Sequence, residues 1–206
     1  MNKQQIKELF TQMNDLHVVV VGDVMLDNYW WGDVERISPE APVPVVTIKK
    51  KESRLGGAAN VALNCKSLGA KVSIAAVLGK DSDGNLLIDL CKNAGLDTAM
   101  LMQSEERQTT TKTRVLSRNQ QMMRLDDEQT KELHTKEEHP FIDLVLRMLQ
   151  REKPQVLIFE DYNKGVLTQK VIEKITAYCA KNEVITAVDP KRKNFLSYFI
   201  SLSAKK

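Results

Sequence analysis

The chain contains few cysteines, and their spacing excludes two common kinds of site. Only Cys65, Cys91 and Cys179 occur among its 206 residues, and no two of them form a CxxC pair. The sequence therefore predicts neither a disulfide framework nor a zinc site. A reducing cytoplasm is the compartment we expect from this cysteine content.

Long apolar runs and a strong excess of one charge are also lacking. No apolar stretch approaches the ~20 residues of a membrane helix, and the polar start of the chain is not a signal peptide. The 30 basic residues nearly balance the 27 acidic ones, which gives a formal net charge of +3. Gly22 is not followed by the GxGxxG motif of dinucleotide-binding proteins. We therefore expect neither nucleic acid nor a membrane as a partner.

What the sequence does contain is an alternation of apolar strands with helices. Runs rich in β-branched residues predict buried strands at 17–26, 71–79, 154–162 and 184–191. Helical patterns predict helices at 57–69, 83–94, 137–152 and 168–182. This alternation predicts an α/β fold with a parallel sheet and right-handed crossovers.

Two segments do not fit that alternation. Residues 28–50 contain three prolines, which exclude a helix and favour irregular or edge strands. Residues 107–126 alternate apolar and polar side chains around turn-forming residues at 117–119, which predicts a β-hairpin. We expect the two segments to pair as a small separate sheet that forms a lid over the open side of the core.

Polar residues cluster where the predicted strands end. Gly56 and Gly57 directly precede a predicted helix, and Asn60 lies in its first turn. Glycine lacks a Cβ atom, so a ligand can approach the backbone there, and the helix start offers free N–H groups. Five further polar residues follow predicted strands: Asp27, Asp161, Lys164, Asp189 and Lys191. Because ligands bind at the carboxyl ends of parallel strands, we expect these residues to converge on one crevice.

From the residues alone, most of these positions also have a purely structural interpretation, whereas Asn60 in the first turn of a helix is harder to explain in that way. Asp27 is equally suited to bounding a loop, and the glycine pair to forming a tight turn. The remaining acidic and basic residues are of the kind found in ordinary solvated turns at strand ends.

Five stretches of sequence, in order, carry a family resemblance. They are GDVMLDNYWWGDVERISPEAPVPVV, RLGGAANVALNCKSLGA, TKTRVLSRNQQMMRLD, EDYNKG and VDPK. Over residues 16–198 the chain resembles the ribokinase-like (PfkB-type) sugar kinases, most strongly those that act on a heptose phosphate. The resemblance implies a three-layer α/β/α fold with a parallel-rich sheet and a small β lid that also forms a homodimer interface.

The resemblance also implies site residues. A sugar site is implied at Asp27, Gly56, Gly57 and Asn60. Lid residues that reach over the substrate are implied at Arg118, Asn119 and Gln121. A substrate-side turn is implied at Asp161 and Lys164. Contacts with the phosphates of the nucleotide are implied at Asp189 and Lys191.

The activity implied by the resemblance is ATP-dependent phosphorylation of D-glycero-D-manno-heptose 7-phosphate at its anomeric hydroxyl, with Mg²⁺, for lipopolysaccharide precursor synthesis. Members of the family also carry an NxxE turn that organises Mg²⁺ and a GAGD motif that supplies the base. Neither motif occurs after residue 190, so we assign no catalytic base and no metal ligands. We expect residues 1–206 to be the N-terminal part of a kinase domain whose C-terminal part is missing. The alternative is a non-catalytic remnant that binds sugar phosphate or dimerises through its lid.

Overall fold

A computed structural model describes residues 2–191 and 194–198 of the chain. Its helices are α1 (Lys3–Met13), α2 (Ala58–Ser67), α3 (Ser82–Asn93), α4 (Thr135–Glu152) and α5 (Gln169–Lys181). Its strands are β1 (His17–Gly22), β2 (Val24–Ile37), β3 (Pro44–Gly57), β4 (Lys71–Gly79), β5 (Asp97–Ser104), β6 (Thr111–Ser117), β7 (Gln120–Asp127), β8 (Val156–Glu160) and β9 (Ile185–Asp189). In this part of the chain, none of the helices is both long enough and apolar enough to cross a membrane.

The core is a parallel sheet covered by helices on both faces. Its strands lie in the order β5-β4-β1-β8-β9. Successive side chains of a strand point to opposite faces, so Val18 and Val20 pack with α2 and α3, while Val19 and Val21 pack with α4 and α5. This arrangement confirms the predicted three-layer α/β/α fold, in which the β1 residues are buried on both sides.

A second sheet, the lid sheet, contains strands β3, β2, β6 and β7 in that order. Strands β2 and β6 are parallel, and each also forms an antiparallel pair with its outer neighbour. The predicted hairpin is confirmed: β6 and β7 are joined by Arg118 and Asn119, and Arg118 has a positive φ of 53°. The prediction of irregular or edge strands at 28–50 is confirmed in part. β3 is an edge strand of the lid sheet, and its pairing with β2 has register shifts at Trp31/Gly32 and Val34/Arg36, although each strand is 14 residues long.

The apolar run at 17–26 is not one strand, contrary to the prediction. The chain leaves the core sheet at Asp23, whose buried carboxylate accepts backbone N–H bonds from Tyr162, Lys164 and Val166 at 2.9, 3.0 and 3.2 Å. Strand β2, which begins at Val24, belongs to the lid sheet. Asp27 therefore lies within a lid strand, not at the end of a core strand.

Strand β5 is a second departure from the sequence-based prediction, which had no strand at 97–104. This strand lies at one edge of the core sheet, and only Met100 and Ser104 of its eight residues are buried. Thr98 is the one β-branched residue of β5, so this segment lacks the β-branched run that identified the central strands.

The segments before β6 and after β7 are both anchored to the core. On the entry side, the carboxylate of Asp81 accepts bonds of 2.8 Å from the backbone N–H and the hydroxyl of Thr109. Arg107 donates to the carbonyl oxygens of Lys131 and Lys164, which joins the entry and the exit of the lid to the loop after β8. The base of the β6–β7 hairpin is therefore anchored to the core.

We predict that Asp23→Ala destabilises the protein strongly. The substitution leaves three backbone N–H groups without their acceptor at the junction of the two sheets, and we expect a loss of about 3–5 kcal/mol in the free energy of unfolding. Urea denaturation of the variant and of the parent chain measures this loss. Asp15→Ala, at an exposed position, is the control and should change stability by less than ~0.5 kcal/mol. Equal effects of the two substitutions would contradict the role given to Asp23.

Candidate functional site

A cleft of about 440 Å³ lies between the lid sheet and helices α2 and α3. Four aliphatic side chains form its apolar part: Leu55, Leu63, Leu90 and Ala94. The polar part is formed by Asp27, Tyr29, Arg54 and Asn60. An apolar surface with a few convergent polar groups is the usual composition of a site for a small molecule.

The carboxylate of Asp27 is held in one orientation by the lid. Its Oδ1 accepts a hydrogen bond of 2.5 Å from Nη1 of Arg114, and both side chains are about one quarter exposed or less, at 22% and 24%. Its Oδ2 lies against Gly56, so closely that a Cβ atom at that position would overlap it. The lid thus holds this carboxylate in one orientation at the cleft.

The glycine pair makes room for neighbouring groups of the protein, a role that the sequence analysis did not predict. Gly56 leaves room for the Asp27 carboxylate, and Gly57 leaves room for the carbonyl oxygen of Asp23. Gly57 also has a φ of 57°, which a residue with a side chain rarely adopts. The Asp23 carbonyl accepts the N–H of Ala58 at 2.9 Å and so begins helix α2. The pair therefore positions the site through protein contacts, and Asn60 extends from the first turn of α2 into the cleft wall.

Tyr29 is a cleft residue that the sequence analysis did not single out. The guanidinium carbon of Arg54 lies 4.6 Å from its ring centroid, and that of Arg114 lies 5.3 Å from it. Such cation–π contacts hold an aromatic ring in place. Period-two alternation in β2 places Tyr29 on the same side as Asp27, which is the signal that would have found it.

Asp161 does not line the cleft, although the sequence predicted that it would converge there. Its buried carboxylate accepts bonds of 2.8 Å from the backbone N–H of Asn163 and from the side-chain amide of Asn194. The hydroxyl of Tyr198 also donates to it at 3.4 Å. These contacts show that Asp161 stabilises the loop after β8.

Lys164 lies in that same loop and faces the lid. Its ammonium group is 2.8 Å from a carboxylate oxygen of Glu128, and its backbone N–H is bound by Asp23. The salt bridge connects the core to the segment that leaves the lid sheet. Glu128 was not identified from the sequence, because nothing local distinguishes it from other charged residues after a strand.

Asp189 and Lys191 lie at the carboxyl end of β9, at the outer edge of the core sheet. Both are exposed, and the ammonium group of Lys191 is 4.8 Å from the ring centroid of Tyr162. Asp189 is paired in register with Glu160 of β8. Burial, with a further contribution from the Asp189 charge, raises the pKa of Glu160 to about 7. Sequence analysis missed Glu160 because its unusual pKa depends on burial.

The predicted lid residues are placed away from the cleft. Arg118, Asn119 and Gln121 are exposed at the end of the β6–β7 hairpin, and none of them is among the residues that line the cleft. Of the predicted site residues, Asp27 and Asn60 line this cleft, whereas Asp189 and Lys191 lie at the carboxyl end of β9.

No complete metal centre is formed by the residues that the structure describes. Among them, no group of three or more His, Cys, Asp or Glu side chains is placed to hold a metal ion. Glu160 and Asp189 form only a pair. These residues do not fit a full set of ligands for Mg²⁺, so we derive no reaction step from a metal.

Comparison with known proteins decides the family. The model of the pfkB family of carbohydrate kinases matches residues 15–204. The chain belongs to this family.

Two curated relatives, both described as a bifunctional protein HldE, come from Geobacter sulfurreducens and Methylobacillus flagellatus. The first is 38% identical over 198 residues, covering 96% of this chain and 40% of the relative. The second is 44% identical over 181 residues, covering 88% and 37%. The chain thus spans about two fifths of the length of these relatives.

Solved structures of carbohydrate kinases share the fold of this kinase-family chain. A putative phosphofructokinase from Staphylococcus aureus matches with a TM-score of 0.70 and 12% identity, covering 90% of this chain and 56% of that one. The ribokinase of Arabidopsis thaliana, solved with ribose and ATP, matches with a TM-score of 0.59 and 15% identity, covering 85% and 53%. These similarities confirm the predicted ribokinase-like fold.

We predict that Glu160→Gln stabilises the protein at alkaline pH. The folded state holds a proton on Glu160 up to a pKa of about 7, whereas the ordinary value is 4.5. Between these values the folded state binds more protons than the unfolded state, so stability falls as pH rises through this window. Glutamine does not ionise, so at pH 8 the variant should be more stable than the parent by about 1–3 kcal/mol.

Denaturation at pH 5 and pH 8 measures this effect. The advantage of Glu160→Gln should shrink at pH 5, where the parent also carries a neutral side chain. The exposed Glu40 provides a control, because Glu40→Gln should leave the stability nearly unchanged. A loss of stability of the same size at both pH values would show that the Glu160 carboxylate is needed in its ionised form.

Proposed function

We propose that the chain is the sugar-binding part of a cytoplasmic ATP-dependent kinase that phosphorylates D-glycero-D-manno-heptose 7-phosphate at the anomeric C1 hydroxyl. The product would be the 1,7-bisphosphate, a precursor of ADP-heptose for lipopolysaccharide. The resemblance to heptose-phosphate kinases and the HldE relatives support this substrate. The observation that carries the proposal is the cleft in which Arg114 orients the carboxylate of Asp27 beside Asn60.

The chemistry of this cleft suits a sugar. A sugar offers several hydroxyl groups, each of which can donate and accept a hydrogen bond. The Asp27 carboxylate accepts only, whereas the amide of Asn60 both donates and accepts. The aliphatic side chains and the ring of Tyr29 provide an apolar surface for the C–H groups of the sugar. The arrangement would thus hold one sugar face by hydrogen bonds and another by apolar contacts.

The resemblance implies ATP as the phosphoryl donor, together with Mg²⁺. Phosphoryl transfer depends mainly on positioning and on stabilisation of charge. In the proposal, Lys191 and Asp189 lie toward the nucleotide, and the cleft residues bind and orient the sugar. Arg118, Asn119 and Gln121 would reach the substrate only when the lid moves toward the core, a movement that would exclude water. The family match favours the kinase over the non-catalytic alternative.

We predict that heptose 7-phosphate raises the thermal stability of the chain and that Asp27→Asn removes most of this effect. A ligand that binds only the folded state stabilises it, by about 2.7 kcal/mol at a concentration of 100 times Kd. Asparagine keeps the shape of Asp27 but loses the charge that Arg114 orients, and it replaces one of the two acceptor oxygens with an N–H donor. We expect binding to weaken by roughly 10-fold or more. Thermal unfolding of the parent chain and of Asp27→Asn, each with and without heptose 7-phosphate, measures the stabilisation and its loss.

Asp33→Asn, in the same strand but outside the cleft lining, is the matched control and should keep the full shift. Mannose 6-phosphate tests whether the chain distinguishes the heptose from a related hexose phosphate. The absence of any shift with heptose 7-phosphate in the parent chain would contradict the proposed substrate. An equal loss in both variants would contradict the position of the site.

We also propose that the chain forms a homodimer through the lid sheet. Four large apolar side chains on the lid are exposed by 38–60%: Ile37, Met122, Met123 and Leu125. In the described part of the chain, β3 and β7 are also the free edges of this sheet, and free edges readily pair with another chain. Contact between two lids would cover both features.

We predict that Met123→Asp combined with Leu125→Asp converts the dimer into a monomer. Two carboxylates at the centre of an apolar contact would lose their hydration without gaining a partner, which is costly. Size-exclusion chromatography with light scattering measures the mass. Leu86→Asp, at an exposed position of helix α3, is the control and should leave the mass unchanged. A monomeric parent chain would overturn the proposed dimer.

A further inference from the structure

A cluster of charged side chains joins the lid sheet to the loop after β8. The carboxylate of Glu128 accepts hydrogen bonds from two lysines. Its Oε1 lies 2.8 Å from Nζ of Lys164, and its Oε2 lies 3.0 Å from Nζ of Lys112. The lysine side chains are only 13% and 17% exposed. Two largely buried ammonium groups therefore converge on the two oxygens of one carboxylate.

The position of this cluster relates it to the cleft. Lys112 is paired in register with Asp27 across strands β2 and β6, which places their backbones about 4.8 Å apart. Lys112 and Arg114 are two residues apart in β6, so their side chains lie on the same face of the lid sheet. Arg114 binds Asp27 on that face. The lysine pair is therefore adjacent to the carboxylate that is proposed to bind the sugar.

We propose that Lys112 and Lys164 bind the phosphate group that the sugar already carries, and that Glu128 occupies this phosphate site until the substrate replaces it. This inference rests on the proposed function, because it names the subsite for the phosphate of the same substrate. Lys112 and Glu128 are new to the site. Lys164 was predicted from the sequence, and the proposal assigns it to phosphate binding together with Lys112.

The charges and the geometry support an exchange of partners. A phosphate monoester offers three terminal oxygens and up to two negative charges, so it pairs with two ammonium groups better than one carboxylate does. Lys112 keeps a second partner, since Asp126 lies 3.1 Å from it. Glu128 follows the last residue of β7 and lies outside any helix or strand, so no backbone ladder has to break for its side chain to turn outward.

A purely structural role for the cluster makes the opposite prediction for one substitution. If Glu128 only fastens the lid to the core, Glu128→Gln should weaken substrate binding or leave it unchanged. If Glu128 competes with the phosphate, the same substitution should tighten binding. The direction of the change therefore separates the two roles, and glutamine keeps the size of the side chain.

The experiment is calorimetric titration of the full chain with heptose 7-phosphate and, in parallel, with the unphosphorylated heptose. We expect Glu128→Gln to bind the phosphate roughly 3- to 10-fold more tightly. Lys112→Met and Lys164→Met should each weaken it by roughly 10-fold or more. All three variants should bind the unphosphorylated heptose with the same affinity as the parent. Lys80→Met and Glu105→Gln, which alter an exposed pair 2.7 Å apart, are the matched controls and should behave as the parent.

The outcomes separate this inference from the function on which it rests. If the parent binds heptose 7-phosphate but Glu128→Gln binds it equally or more weakly, the competition is overturned and the proposed substrate stands. If the lysine variants bind like the parent, the phosphate site is overturned. If the parent binds neither sugar, both proposals fail. Should a methionine variant not fold, Lys112→Arg keeps the charge, and Glu128→Gln still decides the direction.

Discussion

The buried carboxylate of Asp23 is the interaction on which the rest of the structure depends. It lies where the chain passes from the core sheet into the lid sheet, and it accepts three backbone N–H groups from the loop after β8. Its own carbonyl begins helix α2. One residue thus fixes the lid strand that carries Asp27, the helix that carries Asn60 and the loop that carries Lys164. Burial raises the pKa of Asp23, and the three N–H bonds oppose that rise.

Around this junction, some charged residues maintain the scaffold and others form ion pairs that involve the lid. Asp161 belongs to the scaffold, because its carboxylate accepts hydrogen bonds from its own loop and from the segment at 194–198. Asp27 lines the cleft and forms an ion pair with Arg114, and Lys164 forms an ion pair with Glu128 between the core and the lid. Under the proposed function, a ligand that enters the cleft would exchange charged partners with the protein, which would select for ligands of matching charge and shape. A sugar phosphate combines hydroxyl groups for the first pair with an anion for the second.

The family match and the geometry contribute different information. The match to the pfkB family and the relatives identify the chain as part of a carbohydrate kinase family. They say nothing about which of the motif residues are available to a ligand. The contacts of each motif residue supply that information: within one short motif, Lys164 faces the lid while Asp161 is enclosed by its own loop.

The sequence by itself determined the features that depend on neighbours along the chain. The central strands, most helices and the turn at Arg118 and Asn119 follow from local periodicity and turn-forming residues. Only the tertiary structure decided where the run at 17–26 divides, because Asp23 finds its partners about 140 positions later in the chain. The pKa of Glu160 and the lysine pair around Glu128 have the same origin. Burial and charge pairing arise between segments that are distant in sequence, so local sequence patterns cannot predict them.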